Sequence, residues 1–436
     1  MSAATHRALR FLTAGSVDDG KSTLIGRLLY DSRAILADQL TAIESRSGGV
    51  HHAANEAQID LSLLTDGLEA EREQGITIDV AWRYFATPRR KFIIADAPGH
   101  EQYTRNMVTA AAGSDAALVL VDITKLDTMA RPVALLTQTR RHTLLARLLR
   151  VPSIVFVVNK IDAAADPGHD FAAVRDALLA FASDAGVAAA GIVPVSALRG
   201  DNVTSRLDVP WYRGPSLLEL LESLPAGAGD DGDLASNGFV LPVQYVARDT
   251  TGGEADLRRI LWGRIARGSV RAGDRVEVFP SGEQAKVAEV LVAGSVVARA
   301  EAGASAGIVL ERPLDVSRGD WLAAPAQLAP SRRFAATLAW LDTEPAIVGR
   351  KYMLRHGNRW VQARIATIDS RLDVHSLQRE EAERLGVNEI GHVVMETQQP
   401  LPLEPYEASR VAGSLIVVDP ASNRTSGTLL VAAEAA

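Results

Sequence analysis

A glycine-rich loop between a short apolar strand and a helix restricts the fold of this chain more than any other feature. The loop reads Gly15-Ser16-Val17-Asp18-Asp19-Gly20-Lys21-Ser22 and matches the pattern G-x-x-x-x-G-K-[ST]. In such a loop, consecutive backbone N–H groups and the N-terminus of the next helix face phosphate groups. We therefore predict a nucleotide-binding P-loop from Gly15 to Thr23, in which Lys21 neutralises phosphate oxygens and the Ser22 hydroxyl ligates Mg²⁺.

The rest of residues 1–226 has the sequence pattern of an α/β domain. Short apolar runs such as RFLTA, FIIAD, AALVLVD, SIVFVVNK and GIVPVSA alternate with helix-like stretches such as KSTLIGRLLYDSRA and FAAVRDALLAFASDAG. Alternation of buried strands with helices is typical of βαβ units. It predicts a doubly wound, mostly parallel sheet.

Two β-barrel domains are predicted behind the α/β domain. The stretch 225–238, PAGAGDDGDLASNG, has almost no large apolar residues and is typical of a linker. Beyond it, short strands such as FVLPVQYV and DRVEVFP are separated by turn signals such as RAGD and PSGE. The stretch AAPAQLAPS then marks a second boundary, so we predict barrels over residues 239–328 and 331–436.

A second motif indicates which base the P-loop nucleotide carries. Asn159-Lys160-Ile161-Asp162 directly follows the strand SIVFVV. The Asp162 carboxylate can accept two N–H bonds from guanine, and adenine offers no matching pair of donors. Ser196-Ala197-Leu198, after the next strand, suits a backbone N–H contact to the guanine O6 atom. The pair of motifs predicts GTP as the bound nucleotide.

A third motif, Asp96-Ala97-Pro98-Gly99-His100, again stands at the end of an apolar strand. We predict that Asp96 holds Mg²⁺ through water and that the Gly99 N–H senses the γ-phosphate. His100 follows where a group that orients the attacking water is needed. The motif therefore predicts hydrolysis as well as binding.

A threonine upstream of this motif is a candidate switch residue. Thr77 lies in the stretch EREQGITID, before an apolar strand. It could coordinate Mg²⁺ and the γ-phosphate only while GTP is bound. The five motifs in this order predict a GTPase, with Lys21, Thr77 and His100 as its catalytic residues.

Composition and charge exclude several classes of protein. A net charge of -7 and a pI near 5.8 argue against nucleic-acid binding through charge alone. The chain has no cysteine, which excludes disulfides, thiolate zinc sites and cysteine nucleophiles. The N-terminus lacks a signal-peptide h-region, and no apolar run is long enough to span a bilayer. We expect a cytoplasmic protein with no membrane or nucleic-acid partner.

The motifs GITID and DAPGH, with the domain order, resemble the translational GTPases of the elongation factor Tu-like group. Within that group the whole chain is similar to the large, GTP-binding subunits of bacterial GTP-dependent ATP sulfurylases. The likeness rests on GSVDDGKSTLIGRLLYDS, DGLEAEREQGITIDVAWRYF, KFIIADAPGHEQYTRNM, QTRRH, SALRGDNV, LPVQYVARD, RVEVFPSGE and DVSRGDWL. The loop GSVDDGKS is its most specific element, because elongation factors usually carry a histidine where Asp19 stands here.

The resemblance implies one subunit of a heterodimeric sulfate adenylyltransferase. A small catalytic subunit would transfer the adenylyl group of ATP to sulfate, which gives adenosine 5′-phosphosulfate and pyrophosphate. This chain would hydrolyse GTP to drive that uphill reaction. The sequence shows no H-x-G-H nucleotidyltransferase signature and no second P-loop, which fits this division of labour.

Two features depart from the resembled family or from a plain P-loop. The segment 123–137, ITKLDTMARPVALLT, is longer than the family's connection, and we favour a tolerated loop insertion over an altered partner contact. Asp18 and Asp19 either help to hold a cation near the phosphates or, for Asp19, lie solvated in the loop.

Two other functions stay open at the level of sequence. One is a translation factor that delivers aminoacyl-tRNA, against which the loop GSVDDGKS and the EQYTRNM stretch argue. The other is a GTP-gated scaffold with little turnover, since intrinsic rates in such domains can be very low without a partner.

Overall fold

The computed structural model describes residues 8–34, 80–97, 104–226, 238–249, 258–373 and 376–433. These residues divide into two compact units between residues 229 and 230. The first unit is the α/β domain, and the second contains the β-rich residues 238–373 and 378–433.

The first unit has six strands and five helices among its described residues. The strands are β1 (Leu9–Ala14), β2 (Ala81–Ala86), β3 (Lys91–Asp96), β4 (Ala116–Asp122), β5 (Ser153–Asn159) and β6 (Ala189–Pro194). The helices are α1 (Lys21–Asp31), α2 (Thr104–Ala112), α3 (Thr137–Leu148), α4 (Pro167–Asp184) and α5 (Leu217–Ser223). Short 3₁₀ turns, Ile123–Lys125 and Ile161–Ala163, follow β4 and β5.

The six strands form one sheet in the order β2-β3-β1-β4-β5-β6. Strands β3, β1, β4, β5 and β6 are mutually parallel, and β2 joins the edge antiparallel to β3. The strand order reverses at β1, where doubly wound sheets bind ligands at the carboxyl ends of their strands. The P-loop follows β1 at this point.

Burial explains why the central strands form where they do. Every residue of β4 and β5 is buried, as expected for strands covered on both faces by helices. Helix α5 was not anticipated from periodicity, but a local signal defines its start. The Ser216 hydroxyl accepts from the Glu219 N–H while the Glu219 carboxylate accepts from the Ser216 N–H, a reciprocal capping box.

The first β-sheet of the second unit closes into a barrel through a bent segment. The first ten strands of this unit are β7 (Val240–Pro242), β8 (Tyr245–Asp249), β9 (Arg258–Arg264), β10 (Ser269–Arg271), β11 (Arg275–Phe279), β12 (Gln284–Val292), β13 (Ser295–Val297), β14 (Arg299–Glu301), β15 (Ser305–Leu310) and β16 (Trp321–Ala323). Strands β10 and β14 pair with each other in a separate two-stranded sheet, and β13 pairs with β12. The main order is β7-β16-β11-β12-β15-β9-β8. Only Val243 and Gln244 separate β7 from β8, so one bent stretch pairs with both ends of the sheet.

The second β-sheet is a closed six-strand barrel. The remaining strands of the unit are β17 (Pro330–Trp340), β18 (Ala346–Ile347), β19 (Lys351–His356), β20 (Arg359–Leu372), β21 (Arg379–Glu380), β22 (Arg384–Leu385), β23 (Ile390–Pro402), β24 (Ser414–Val418) and β25 (Thr425–Val431). Strands β18 and β22 pair with each other in a separate two-stranded sheet, and β21 pairs with the end of β20. The order β19-β24-β25-β17-β23-β20 closes through pairing of β19 with β20. Each barrel has its own apolar core.

A buried seam joins the two barrels within the second unit. The rings of Trp321 in β16 and His356 in β19 stack with centroids 4.8 Å apart. The His356 Nε2–H donates to the Ala412 carbonyl over 3.0 Å. Arg267 forms an ion pair of 2.8 Å with Glu404, which adds a charged contact across the same seam.

The fold class predicted from sequence, an α/β P-loop domain followed by two β-barrels, is confirmed. The boundaries 1–226, 239–328 and 331–436 stay predictions, and most of the linker 225–238 lies outside the described residues. Among the described helices, none is long and apolar enough to cross a membrane.

We expect protonation of His356 to weaken the barrel unit at mildly acidic pH. Burial lowers the pKa of His356 to about 4, whereas its ordinary value in an unfolded chain is 6.5. Below pH 6.5 the unfolded state binds the proton more readily than the folded state. The folded unit therefore has its full stability at neutral pH and loses stability as the pH drops toward 4. Between roughly pH 7.5 and pH 5 the loss is on the order of 2 kcal/mol.

Denaturant unfolding of the wild type and of His356→Phe at these two pH values tests this expectation. The phenyl ring can still stack on Trp321 but does not titrate, so its free energy of unfolding should vary less with pH. The free energy of unfolding should be lower at neutral pH, because the Ala412 carbonyl loses the hydrogen bond from His356. Among the described residues the other buried histidine is His142, and its contribution to the pH dependence is the same in both proteins. An equal pH dependence in both proteins contradicts the prediction.

Candidate nucleotide site

The carboxyl ends of the parallel strands bring four of the sequence motifs to one edge of the sheet. Thr13 near the end of β1 is in register with Asp96 at the end of β3. Asp122 at the end of β4 is in register with Asn159 at the end of β5. The P-loop follows β1, and the Ser196 motif follows β6. The strand-end placement predicted from sequence is therefore present.

The P-loop has the backbone that its glycine pattern predicts. Helix α1 begins at Lys21, directly after Gly20, which has a φ of 86°. A Cβ at Gly20 would overlap the amide nitrogen of Asn159, so only glycine fits there. Asp18 is exposed and has a φ of 63°, a left-handed conformation that aspartate tolerates better than most residues.

Lys21 lies within the loop as a buried cation. Its side chain is 7% exposed, and its Nζ donates to the carbonyls of Gly15 and Ser16 over 3.1 and 2.7 Å. Burial lowers the pKa of Lys21 from its ordinary value, an effect that the nearby Asp96 and Asp19 carboxylates partly offset. A cation so placed suits the neutralisation of phosphate oxygens.

Asp19 is buried and paired with a side-chain cation rather than solvated in the loop. Its side chain is fully buried. One carboxylate oxygen accepts from the Ser16 N–H over 2.6 Å, and the other pairs with the Lys125 ammonium over 2.8 Å. The reading of Asp19 as a solvated loop carboxylate is wrong, because its carboxylate is held under the loop by two donors.

The third motif is described only in part. Asp96 and Ala97 are buried at the end of β3, and the Thr13 hydroxyl donates to Asp96 Oδ1 over 3.1 Å. Pro98, Gly99, His100 and the candidate switch residue Thr77 lie outside the described residues. Their predicted roles stay predictions.

The side chain of Asn159 ties the P-loop to the Ser196 motif. Its Nδ2 donates to the Asp19 carbonyl over 2.8 Å. Its Oδ1 accepts from the Ala197 N–H over 3.0 Å. Asn159 is buried, so both bonds form away from water. The first residue of the guanine motif therefore forms hydrogen bonds to the backbone of the P-loop and of the Ser196-Ala197-Leu198 loop.

The other polar residues of the guanine motif point in two directions. Lys160 pairs with Asp122 over 2.7 Å. Burial alone would raise the pKa of Asp122, but hydrogen bonds from Lys160 and Thr124 outweigh it and lower that pKa. Asp162 is partly buried, and its Oδ2 lies 3.7 Å from Nε of the mostly exposed Arg199.

The Ser196-Ala197-Leu198 loop is held by contacts that the sequence reasoning missed. Arg27 of α1 donates to the carbonyls of Ala197 and Leu198 over 3.4 and 2.5 Å. The Ser196 hydroxyl accepts from the Arg199 N–H over 3.1 Å. Arg27 lies one and a half turns after Lys21 on α1, but sequence spacing carries no signal for a contact across about 170 residues.

The segment 123–137 is packed against the domain at both of its ends. Ile123, Leu126, Val133 and Leu135 are buried. Lys125, in the first turn, donates to the Val17 carbonyl of the P-loop over 2.6 Å. The segment therefore makes a direct contact to the P-loop, whereas a tolerated loop insertion stays a prediction.

The donor set at this edge fits a nucleotide polyphosphate with Mg²⁺. Lys21, the N-terminus of α1 and the half-buried Ser22 and Thr23 supply a cation, N–H groups and hydroxyls. Asp96 supplies a buried carboxylate on the neighbouring strand. Oxygen ligands of this kind are those that Mg²⁺ prefers.

Two family models match the chain. The model described as the elongation factor Tu GTP binding domain matches residues 6–226. The model described as GTP-eEF1A C-terminal domain-like matches residues 333–431.

Curated relatives match along nearly the whole chain. A sulfate adenylyltransferase subunit 1 from Laribacter hongkongensis is 44% identical over 98% of this chain and 85% of its own length. A protein of the same name from Citrobacter koseri is 42% identical over 99% of this chain and 88% of its own. A bifunctional enzyme CysN/CysC from Mycobacterium tuberculosis is 45% identical over 96% of this chain and 66% of its own. Among solved structures, sup35 complexed with GDP aligns with a TM-score of 0.42 at 22% identity, over 98% of this chain and 94% of that one.

We expect Asn159→Ala to weaken both the domain and its nucleotide affinity. The change leaves the Asp19 carbonyl and the Ala197 N–H buried without their partners. Two such losses cost about 2–4 kcal/mol in the free energy of unfolding and lower the affinity for GDP by roughly tenfold or more. Denaturant unfolding and titration with a fluorescent GDP analogue measure the two effects.

Asn358→Ala in the barrel unit is the matched control. The side-chain Oδ1 of Asn358 accepts long hydrogen bonds of 3.3 and 3.4 Å from Arg318 and Arg355. That variant should keep its GDP affinity. If Asn159→Ala also binds GDP as tightly as the wild type, the role given to Asn159 is wrong.

Proposed function

The chain belongs to the elongation factor Tu GTP-binding family and, within it, to the sulfate adenylyltransferase subunit 1 proteins, and from this premise we propose that it hydrolyses GTP to drive sulfate activation. The reaction driven is ATP plus sulfate to adenosine 5′-phosphosulfate plus pyrophosphate. A sulfate oxygen attacks the α-phosphorus of ATP, and pyrophosphate leaves. The anhydride formed is of higher energy than the bond broken, so the reaction needs an energy source.

The observation that carries this proposal is the likeness to the relatives named sulfate adenylyltransferase subunit 1. The likeness extends through the barrels as well as the GTP-binding domain, since it covers 98% or more of this chain. The arrangement of Lys21, Asn159 and Asp162 at one sheet edge supports the GTP-binding part of the proposal.

The residues of the motifs have distinct roles in this proposal. Lys21 offsets negative charge on the β- and γ-phosphates, and the α1 N-terminus binds the same oxygens. Mg²⁺ would be held by the Ser22 hydroxyl, by Thr77 and, through water, by Asp96, and it would offset phosphate charge. Asp162 accepts from the guanine N–H groups, and a backbone N–H of the Ser196-Ala197-Leu198 loop contacts the guanine O6 atom.

His100 and Thr77 complete the proposed hydrolysis. His100 orients the attacking water, and Thr77 contacts the γ-phosphate only while GTP is bound. Loss of the γ-phosphate releases Thr77, so the surrounding segment changes conformation after each turnover. This change is the proposed route by which the energy of GTP reaches a neighbouring subunit.

The name subunit 1 implies a partner subunit in the relatives. We propose that the partner of this chain is the small catalytic subunit of sulfate adenylyltransferase, in a heterodimer. A cytoplasmic location and the absence of membrane or nucleic-acid partners are part of the same proposal.

GTP hydrolysis by the purified chain with the small subunit tests the function directly. Turnover should rise only when the partner, ATP and sulfate are all present, and adenosine 5′-phosphosulfate should accumulate. If those additions change nothing while tRNA or ribosomes stimulate hydrolysis, sulfate activation is the wrong function and only the GTPase assignment survives.

We expect His100→Ala to abolish most turnover without weakening nucleotide binding. A positioned side chain that assists proton transfer or orients water contributes roughly 10²–10⁴-fold. The hydrolysis rate with partner, ATP and sulfate should fall by about that factor, while GDP affinity stays within about twofold. His169→Ala, at an exposed position on α4, is the control. Unchanged turnover in His100→Ala would favour the scaffold alternative.

We expect Asp162→Asn to change the base preference. The amide offers one acceptor and one donor where guanine needs two acceptors, so GTP affinity should fall by at least roughly tenfold. Xanthine nucleotides carry an acceptor in place of the guanine amino group and should gain affinity. Competition of GTP and XTP against a fluorescent nucleotide measures the ratio. The control is Asp127→Asn, in the exposed turn after β4. It keeps an acceptor for the Met129 and Ala130 N–H groups and should leave the ratio of GTP to XTP affinity unchanged.

A further inference from the structure

Four side chains of alternating charge run along the nucleotide edge of the sheet. Asp19 of the P-loop pairs with Lys125 over 2.8 Å, and Lys125 lies 3.9 Å from Asp122. Asp122 pairs in turn with Lys160 of the guanine motif over 2.7 Å. The series connects three segments that are distant in sequence and that all contribute to the proposed GTP site.

Lys125 is the member that touches the P-loop backbone. Its Nζ donates to the Val17 carbonyl over 2.6 Å and to Asp19 Oδ1 over 2.8 Å. The side chain is 33% exposed, whereas the Asp19 side chain is fully buried. The cation therefore neutralises a carboxylate that water cannot reach, and it fixes a carbonyl in the middle of the loop.

Without Lys125, the negative charge of Asp19 would weaken phosphate binding. A buried carboxylate that has lost its paired cation costs several kcal/mol. The uncompensated charge would also lie beside the site of a polyphosphate and repel it. The Ser16 N–H bond to Asp19 shows that the same carboxylate shapes the loop that must bind the phosphates.

The segment after β4 is built to hold Lys125 in place. The Asp122 side chain accepts from the Thr124 N–H and hydroxyl over 3.0 and 2.7 Å, which begins the 3₁₀ turn Ile123–Lys125. Ile123 and Leu126 are buried on either side of the lysine. The backbone of this turn is therefore fixed, and the Lys125 stem has a defined starting point.

We propose that Lys125 is a positioning residue of the nucleotide site, which sets the affinity for guanine nucleotides by neutralising Asp19 and holding the Val17 carbonyl. Asp122 extends this role to the guanine motif, because it pairs with Lys160 as well as lying beside Lys125. The inference rests on the proposed function only in that the P-loop binds GTP. It gives the segment after β4 a role in that site.

A double-mutant cycle on Lys125 and Asp19 tests the proposal. Lys125→Met should weaken the binding of a fluorescent GDP analogue by roughly ten- to hundredfold, because it leaves Asp19 buried and unpaired. Asp19→Asn keeps an acceptor for the Ser16 N–H and should cost less. The double variant Asp19→Asn/Lys125→Met should bind at least about tenfold more tightly than Lys125→Met alone.

Two further variants separate positioning from general stability. Lys125→Arg keeps the cation and should bind GDP within a few-fold of the wild type. Lys91→Met removes the same charge from an exposed position at the start of β3, at the opposite end of that strand from the site, and should bind like the wild type. Thermal unfolding without nucleotide should place Lys91→Met and the double variant close to the wild type.

The outcomes distinguish this inference from the function on which it rests. Wild-type protein that binds no guanine nucleotide contradicts both. Wild-type protein that binds GDP, with Lys125→Met binding equally well or with the two substitutions strictly additive, overturns only the role of Lys125. Recovery of affinity in the double variant supports it, because a merely structural lysine would not be rescued by neutralising Asp19.

Discussion

The amide of Asn159 makes one hydrogen bond to the Asp19 carbonyl and another to the Ala197 N–H, so a single buried side chain fixes two loops against β5. A buried amide must keep its orientation toward both partners, because a buried donor or acceptor without its partner costs about 1–3 kcal/mol. The close approach also explains Gly20, whose missing Cβ leaves room for the Asn159 amide. The rest of the nucleotide edge is arranged around this contact.

The sequence predicted the strand ends better than it predicted the contacts between them. Parallel strands bring their carboxyl ends to one edge, so the positions of Asp96 and Asn159 followed from the apolar runs before them. The partner of Asp19 did not, because Lys125 lies 106 residues further on and no periodicity connects the two. A P-loop aspartate in place of an uncharged residue, with a lysine shortly after a strand, is the signal that could have suggested the pair.

The barrels illustrate the same limit. Alternating short strands and turn signals were enough to predict two β-barrels, but not that they share a buried seam. Trp321 and His356 each read as ordinary strand residues, and their stacking depends on which faces of two separate sheets meet. The ion pair of Arg267 with Glu404 spans 137 residues and has no local signature either. Tertiary pairing of this kind is set by the packed fold and not by local pattern.

That seam has a mechanical consequence. Two barrels joined only by a strand-to-strand connection could each turn independently, and a force applied to one would be lost in bending between them. Stacked rings, a buried ion pair and a shared apolar cluster oppose such independent rotation, so the two barrels pack against each other as one body. A partner bound to either barrel therefore restrains the orientation of both.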